Sequence, residues 1–311
     1  MGRFMMSYPD GKSREEYLKC PKLAILKQEK DLKVVRHLPI EEYSKIKTAI
    51  KEIKLFEEDQ RPFKILCSNI DDLRKYILDL ETNGVLKPGM ERGLLDAVLT
   101  EINKLLLSLL TAFRTYNDHF ETTYNRRYGK ESEELASYVK YTHSVYDAYF
   151  AYRFFSNIRN FAQHCGLPIT HFDLRSYYDE KKGQVINNST VTFKRDEIIQ
   201  KDKKMKSKFK EELSLQPEQL RVNDLLNEFE ESIFTLNGNI IIFNLDKLIK
   251  NVVTLENYLQ DVNLKNDEML VIIKNQQHDG SEMRFKLEAF PYEIMHQIKC
   301  LHYEFKYGVG E

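Results

Sequence analysis

Between Met90 and Tyr124 the apolar residues Leu95, Val98, Ile102, Leu105, Leu109, Phe113, Tyr116 and Phe120 recur at intervals of three and four. On a helix that turns about 100° per residue, all of them share one face. The segment is therefore a long amphipathic helix whose apolar face must be buried against other elements. Tyr128-Gly129-Lys130 closes it, and Ser132 followed by Glu133 and Glu134 opens the next helix, with acids at the positive end of the dipole. Only 12 Gly and 8 Pro punctuate the 311 residues, which favours long elements over many turns.

The second helix runs over roughly 132–165 and is aromatic on nearly every side between Val145 and Phe161. A helix with a single buried face has no need of this, so it is expected to be central or to form a subunit contact. Gly166 supplies a left-handed cap and Pro168 ends it. The following stretch alternates in polarity and carries Lys182-Gly183 and Asn187-Asn188, reading as a strand excursion near 170–200. Helical patterns return at about 218–236, with Pro217 as opening residue, and at 240–260.

The remainder predicts smaller pieces. Residues 1–87 read as a small α+β region containing KLAILKQ, EEYSKIKTAIKEIKLFEE and the extended-looking PFKILCSN, with Asn83-Gly84 and Lys87-Pro88-Gly89 marking a boundary. Residues 263–311 read as a β-hairpin turning at Asp279-Gly280, then a terminal helix with Ile294, Ile298 and Leu301 inward. The expected fold is mainly α: a four-helix bundle over 88–262 with small α/β additions at both termini.

Charge and motif content exclude several classes. Forty-seven basic and 48 acidic side chains give a net charge of −1, so any nucleic-acid site must be local rather than a global field. The four cysteines, Cys20, Cys67, Cys165 and Cys300, form no CxxC pair, which argues against a zinc knuckle or a disulfide framework and fits a reducing compartment. No signal-peptide core and no apolar run of spanning length occurs, so a cytoplasmic protein without membrane association is expected. Walker, HExxH, GxSxG and dinucleotide signatures are missing, and no metal or cofactor is expected.

One constellation carries chemistry. Arg159 and His164 stand five positions apart at the end of the second helix, with Asn160 beside the arginine, and the segment ends against Cys165-Gly166-Leu167-Pro168. A second pair at the same spacing, Arg114 and His119, lies in mid-helix without these surroundings, so spacing alone is weak evidence. The run Tyr146-Asp147-Ala148-Tyr149-Phe150-Ala151-Tyr152-Arg153, continuing through Arg159-Asn160-Phe161-Ala162-Gln163-His164, resembles HEPN proteins, in which Arg, a polar residue, spacers and His recur on a four-helix bundle. The resemblance covers roughly residues 90–260. It implies a metal-independent endoribonuclease of the toxin or phage-defence kind, with RNA as substrate and one composite site in a homodimer. A regulatory protein partner is also compatible with it, although Gly166 replaces the tyrosine through which adenylylating antitoxins silence some members.

Helical geometry bears on the same residues. Tyr146, Tyr149, Arg153, Asn157, Asn160 and His164 fall along one stripe, whereas Arg159 points about 140° away from His164. Two such helices across a two-fold axis, or local unwinding at Gly166, would let both reach one phosphate. His164 is the expected general base or acid, Arg159 the cation for developing charge, and Asn160 a ligand for a phosphate oxygen or a support for His164. Asn157 and Arg153 are expected to bind substrate, although Arg153 could equally pair with Asp147 or Asp118. Arg159 paired to a buried acid and His164 as a core histidine is the alternative, corresponding to a catalytically silent module. The lysines between Lys201 and Lys210 read first as a solvated, mobile connection and second as an RNA contact.

Overall fold

The computed structural model describes residues 20–27, 31–83, 92–181, 183–260, 262, 264, 265, 267–279 and 282–308. Among them are β1 (Lys22–Lys27), β2 (Asp31–His37), α1 (Ile40–Asn83), α2 (Arg92–Tyr128), α3 (Glu133–Ala148) and α4 (Phe150–His164). β3 (Phe172–Asp179), β4 (Gln184–Lys194), α5 (Arg195–Lys201), α6 (Ser207–Ser214), β5 (Gln219–Arg221) and α7 (Val222–Gln260) follow. The chain ends with β6 (Glu268–Asp279), β7 (Glu282–Ala289) and α8 (Tyr292–Tyr307). Among the described residues the protein is mainly helical, with two small antiparallel sheets ordered β2-β1-β6-β7 and β3-β4-β5. No helix among the described residues is long and apolar enough to cross a membrane.

Two compact units divide the chain differently from the boundaries expected at 87 and 262. One unit comprises residues 1–58 and 242–311, the other residues 59–241, so the boundaries fall inside α1 and α7. The terminal regions join because β1 pairs antiparallel with β6, Leu23 opposite Ile272, a ladder between segments remote in sequence that no local pattern reveals. Leu23, Ile46, Ile50, Val252, Ile272 and Ile298 are among the residues of this unit's core. The expected boundary near residue 88 and the turn glycine Gly280 lie outside the described residues.

PFKILCSN is not extended: it lies within α1, Pro62 included. The helical repeat of Leu66, Ile70, Leu73, Ile77 and Leu80, all buried, outweighs the β propensity of the short run. The two helices expected at 218–236 and 240–260 are one, α7, and Pro217 precedes β5 rather than opening a helix.

Residues 59–241 form the unit that carries the Arg-Asn-x3-His segment. Its core draws Leu66 and Ile70 from α1, Leu109 and Phe113 from α2, Phe155 and Phe161 from α4, and Phe229 and Ile233 from α7. The strand excursion is present as β3 and β4, and Val191 and Phe193 of β4 join this core.

The long second helix is broken at Tyr149, whose φ of −110° and ψ of 121° are extended. No glycine or proline marks the break; remote side chains support it instead. The Glu228 carboxylate accepts from the Ala151 N–H at 3.2 Å at the start of α4, and Arg153 donates to the carbonyl oxygens of Tyr146 and of Asp147, the latter at 2.9 Å. The orphan backbone groups of two helix ends thereby find partners. The Tyr149 hydroxyl lies 3.3 Å from Glu231 Oε1 and 3.2 Å from Thr235 Oγ1. The break also corrects the reading of all-round burial. α3 and α4 each need one inward face, and in α4 it consists of Ala151, Tyr152, Phe154, Phe155, Ile158 and Phe161.

Candidate functional site

Both ends of α4 are fixed, and this defines where its polar stripe lies. At the C-terminus the N–H groups of Cys165 and Gly166 donate to the Phe161 carbonyl at 2.7 and 3.3 Å, and Gly166 takes φ +130°, a conformation that costs glycine little. The chain then runs to Ile169, where the buried Asn103 side chain clamps the backbone. Its Nδ2 donates to the Ile169 carbonyl at 2.7 Å and its Oδ1 accepts from the Ile169 N–H at 3.2 Å. Beneath the helix, Phe155 packs on Phe229 with ring centroids 4.6 Å apart, and Phe154 meets Phe193 edge-on at 4.9 Å. Such aromatic pairs hold the helix rigidly against its neighbours.

Asn157, Asn160 and His164 open together on one cleft of about 650 Å³. Its other wall is the end of α5 and the connection to α6, which contribute Lys201, Lys203, Lys204 and Lys206. His164 is exposed, and among the described residues no hydrogen-bond partner is recorded for its ring. Asn157 donates to the Arg153 carbonyl at 2.7 Å.

Four lysines face one carboxylate, Asp202, across this wall. Lys201 is 3.3 Å from Glu197, whereas Lys203, Lys204 and Lys206 have no acidic partner within ion-pair distance among the described residues. The lysine stretch forms a hydrogen-bonded turn in which Lys201, Lys203, Lys204 and Lys206 are exposed, as expected of a solvated segment. The Asp202 N–H donates to the Ile198 carbonyl at 3.0 Å, and the Asp202 side chain accepts from the Lys204 N–H at 3.0 Å. Buried Ile198, Phe209 and Leu213 anchor it on both sides. That apolar series, with Met205 between, was the signal in the sequence that this segment packs instead of floating.

The two arginines differ. Arg153 is paired with Glu212, its Nη2 2.6 Å from Oε1 and its Nε 3.1 Å from both carboxylate oxygens. The hydrogen bonds to Glu212 raise its affinity for the proton above the ordinary arginine value. Neither Asp147 nor Asp118 supplies its carboxylate partner; the contact to Asp147 is to the backbone oxygen. Arg159 does not line the cleft; its Nη1 donates to Asn160 Oδ1 at 3.2 Å. The bond turns the Asn160 oxygen toward Arg159, leaving its amide nitrogen as the group available for a ligand. No acidic side chain is within ion-pair distance of Arg159 among the described residues.

The second Arg/His pair is committed elsewhere. Arg114 Nε is 2.6 Å from Asp118, and His119 Nε2 is 3.4 Å from Asp59, which also receives two hydrogen bonds from Arg127 at 2.5 and 2.8 Å. At Cys165, which lines the His164 cleft, desolvation and then the nearby Asp202 raise the thiol above its ordinary value, with Lys204 opposing. No group of three or more His, Cys, Asp or Glu side chains is arranged to hold a metal ion among the described residues. Comparison with family models, with curated proteins and with solved structures gives no match to this chain.

Proposed function

We propose that this protein is a metal-independent endoribonuclease of the HEPN kind, its four-helix core built from the second half of α1, α2, α3 with α4, and the first half of α7. The observation that carries the reading is the cleft in which His164, flanked by Asn157 and Asn160, faces Lys203, Lys204 and Lys206, none of the four side chains with a hydrogen-bonded or acidic partner among the described residues. A histidine can move protons near neutral pH, and uncompensated lysines attract a polyanion.

In this reading the 2′-hydroxyl of RNA attacks the adjacent phosphorus while His164 takes its proton. The bond from phosphorus to the 5′-oxygen breaks, and that oxygen leaves with a proton from the second histidine of a dimer. A 2′,3′-cyclic phosphate and a 5′-hydroxyl result, with no added reagent. Asn160 holds a non-bridging oxygen through its amide nitrogen, and an Arg159 guanidinium stabilises the charge developing there. Because Arg159 lies beside the cleft residues rather than in the lining, a homodimer completes the site.

Purified wild type is expected to cut mixed RNA in EDTA, and His164→Ala to be slower by about 10²–10⁴-fold, the usual worth of a positioned proton-transfer group. Loss of wild-type cleavage in EDTA with rescue by magnesium would sink the mechanism. The chain is also expected to scatter light as a dimer at micromolar concentration; a monomer that still cleaves would show that Arg159 reaches the site within one chain.

The second reading is a silent module that binds RNA or a protein through the same cleft. The absence of Arg159 from the cleft lining favours it, and it predicts RNA binding without cleavage in the EDTA assay.

A further inference from the structure

A second cleft adjoins the first. Tyr146, Asp147, Arg153, Lys206, Lys208, Phe209 and Glu212 line a space of about 510 Å³, and Lys206 is a wall of both clefts. Arg153 and His164 are eleven residues apart on α4, so the polar stripe between the two clefts runs for roughly 16 Å at the rise of an α-helix. That length suits a stretch of chain rather than a single bound anion.

The two clefts differ in what they can hold. The one at His164 has lysines without acidic partners and only one carboxylate, a setting for phosphate. In the other, Arg153 is paired with Glu212 at 2.6 Å and Asp147 adds a second acid beside Lys206 and Lys208, so the lining is nearer to charge balance and a phosphate gains less there. Its distinctive groups are aromatic. Phe209 is buried and stacked on Phe150, 6.3 Å between centroids with planes 18° apart. Tyr146 is 37% exposed, its ring braced edge-on by Tyr152 at 6.3 Å. An exposed, braced ring beside a cationic cleft is a stacking platform for an unpaired base.

We infer that the joined clefts form a groove for single-stranded RNA, in which the α5–α6 turn holds the backbone through Lys203, Lys204 and Lys206 and Tyr146 stacks a base flanking the phosphate at His164. This rests on the nuclease reading for the identity of the phosphate but concerns binding, which is measurable without cleavage. Stacking on Tyr146 requires a base free of its partner, so duplex RNA is excluded from the second cleft.

The test uses the full chain carrying His164→Ala, so that RNA stays intact, with a short labelled RNA single strand and its blunt duplex followed by fluorescence anisotropy. The single strand is expected to bind more tightly than the duplex. Adding Tyr146→Ala is expected to weaken binding by about tenfold, the scale of one base–aromatic stack, whereas Tyr146→Phe keeps the ring and the affinity. Replacing Lys203, Lys204 and Lys206 together by Gln is expected to reduce the slope of log affinity against log salt by about 2, since each single-strand phosphate contact contributes about 0.7.

Equal binding of duplex, an unchanged salt slope, or Tyr146→Ala binding like its parent would each overturn the inference. So would displacement of RNA by polyglutamate at equal charge, which would assign the groove to an acidic protein segment. If the binding pattern holds while wild type cuts no RNA, the groove stands and the nuclease reading falls. If RNA is cut and neither set of variants changes binding, the reverse is true.

Discussion

Arg159→Ala is expected to reduce RNA turnover by about 10²–10³-fold while leaving RNA affinity nearly unchanged. The magnitude is that of removing one preorganised group that stabilises developing charge. The split follows from placement: Arg159 is outside the cleft lining, and its guanidinium donates to Asn160 Oδ1. A contact made only as the transition state forms lowers kcat and spares binding. Arg159→Lys is expected to fail nearly as badly, because an ammonium has no planar fork to span two phosphate oxygens. His119→Ala is the control and should retain cleavage, since that ring sits 3.4 Å from Asp59 and away from the cleft lining. Single-turnover rates and anisotropy titrations on the same preparations separate the two quantities. Equal loss of affinity and rate in Arg159→Ala would make it a substrate-binding residue, and loss of activity in His119→Ala at unchanged stability would add that histidine to the site.

Phe155→Ala is expected to be the most damaging apolar truncation on α4. The side chain is fully buried and lies between Phe229 at 4.6 Å, Phe154 at 5.7 Å and Phe193 at 6.3 Å. Deleting the ring removes its transfer free energy and leaves a cavity among aromatic neighbours that cannot readily collapse, a cost of about 3–5 kcal/mol. For a unit of this size, the corresponding fall in thermal midpoint is on the order of 10 °C. Because Phe155 faces inward while Asn157, Asn160 and His164 line the cleft, cleavage should fall through displacement of α4 and recover partly with Phe155→Leu. Differential scanning calorimetry of the whole chain reads the effect. A midpoint within about 2 °C of wild type would mean that this core relaxes around the deletion, contrary to its dense packing.

Part of the candidate site was legible in the sequence because its geometry is local. Asn157, Asn160 and His164 recur at intervals of three and four, and the structure keeps them on one stripe of a regular helix. Arg153 was harder, since its partner Glu212 lies 59 residues away and no rule of spacing connects them. The lysine turn was read first as solvated because its charges dominate its composition. Its place opposite His164 depends on Ile198, Phe209 and Leu213 finding the core.

The sequence by itself determined the inward face of α2, the Ser132 cap whose Oγ accepts from the Leu135 N–H at 3.2 Å, the stop at Gly166 and the β3–β4 excursion. Each of these is decided within a few turns or residues of chain, by periodicity, by a capping side chain, or by a residue that tolerates a positive φ. Tertiary structure alone decided the break at Tyr149, where Glu228, Glu231 and Thr235 arrive from 77, 82 and 86 residues away to satisfy a discontinuity that the local sequence does not ask for. It also decided the pairing of β1 with β6 and the meeting of the lysine turn with the end of α4. Burial and hydrogen bonding reward contacts by proximity in space, and long-range proximity exists only once the chain has folded.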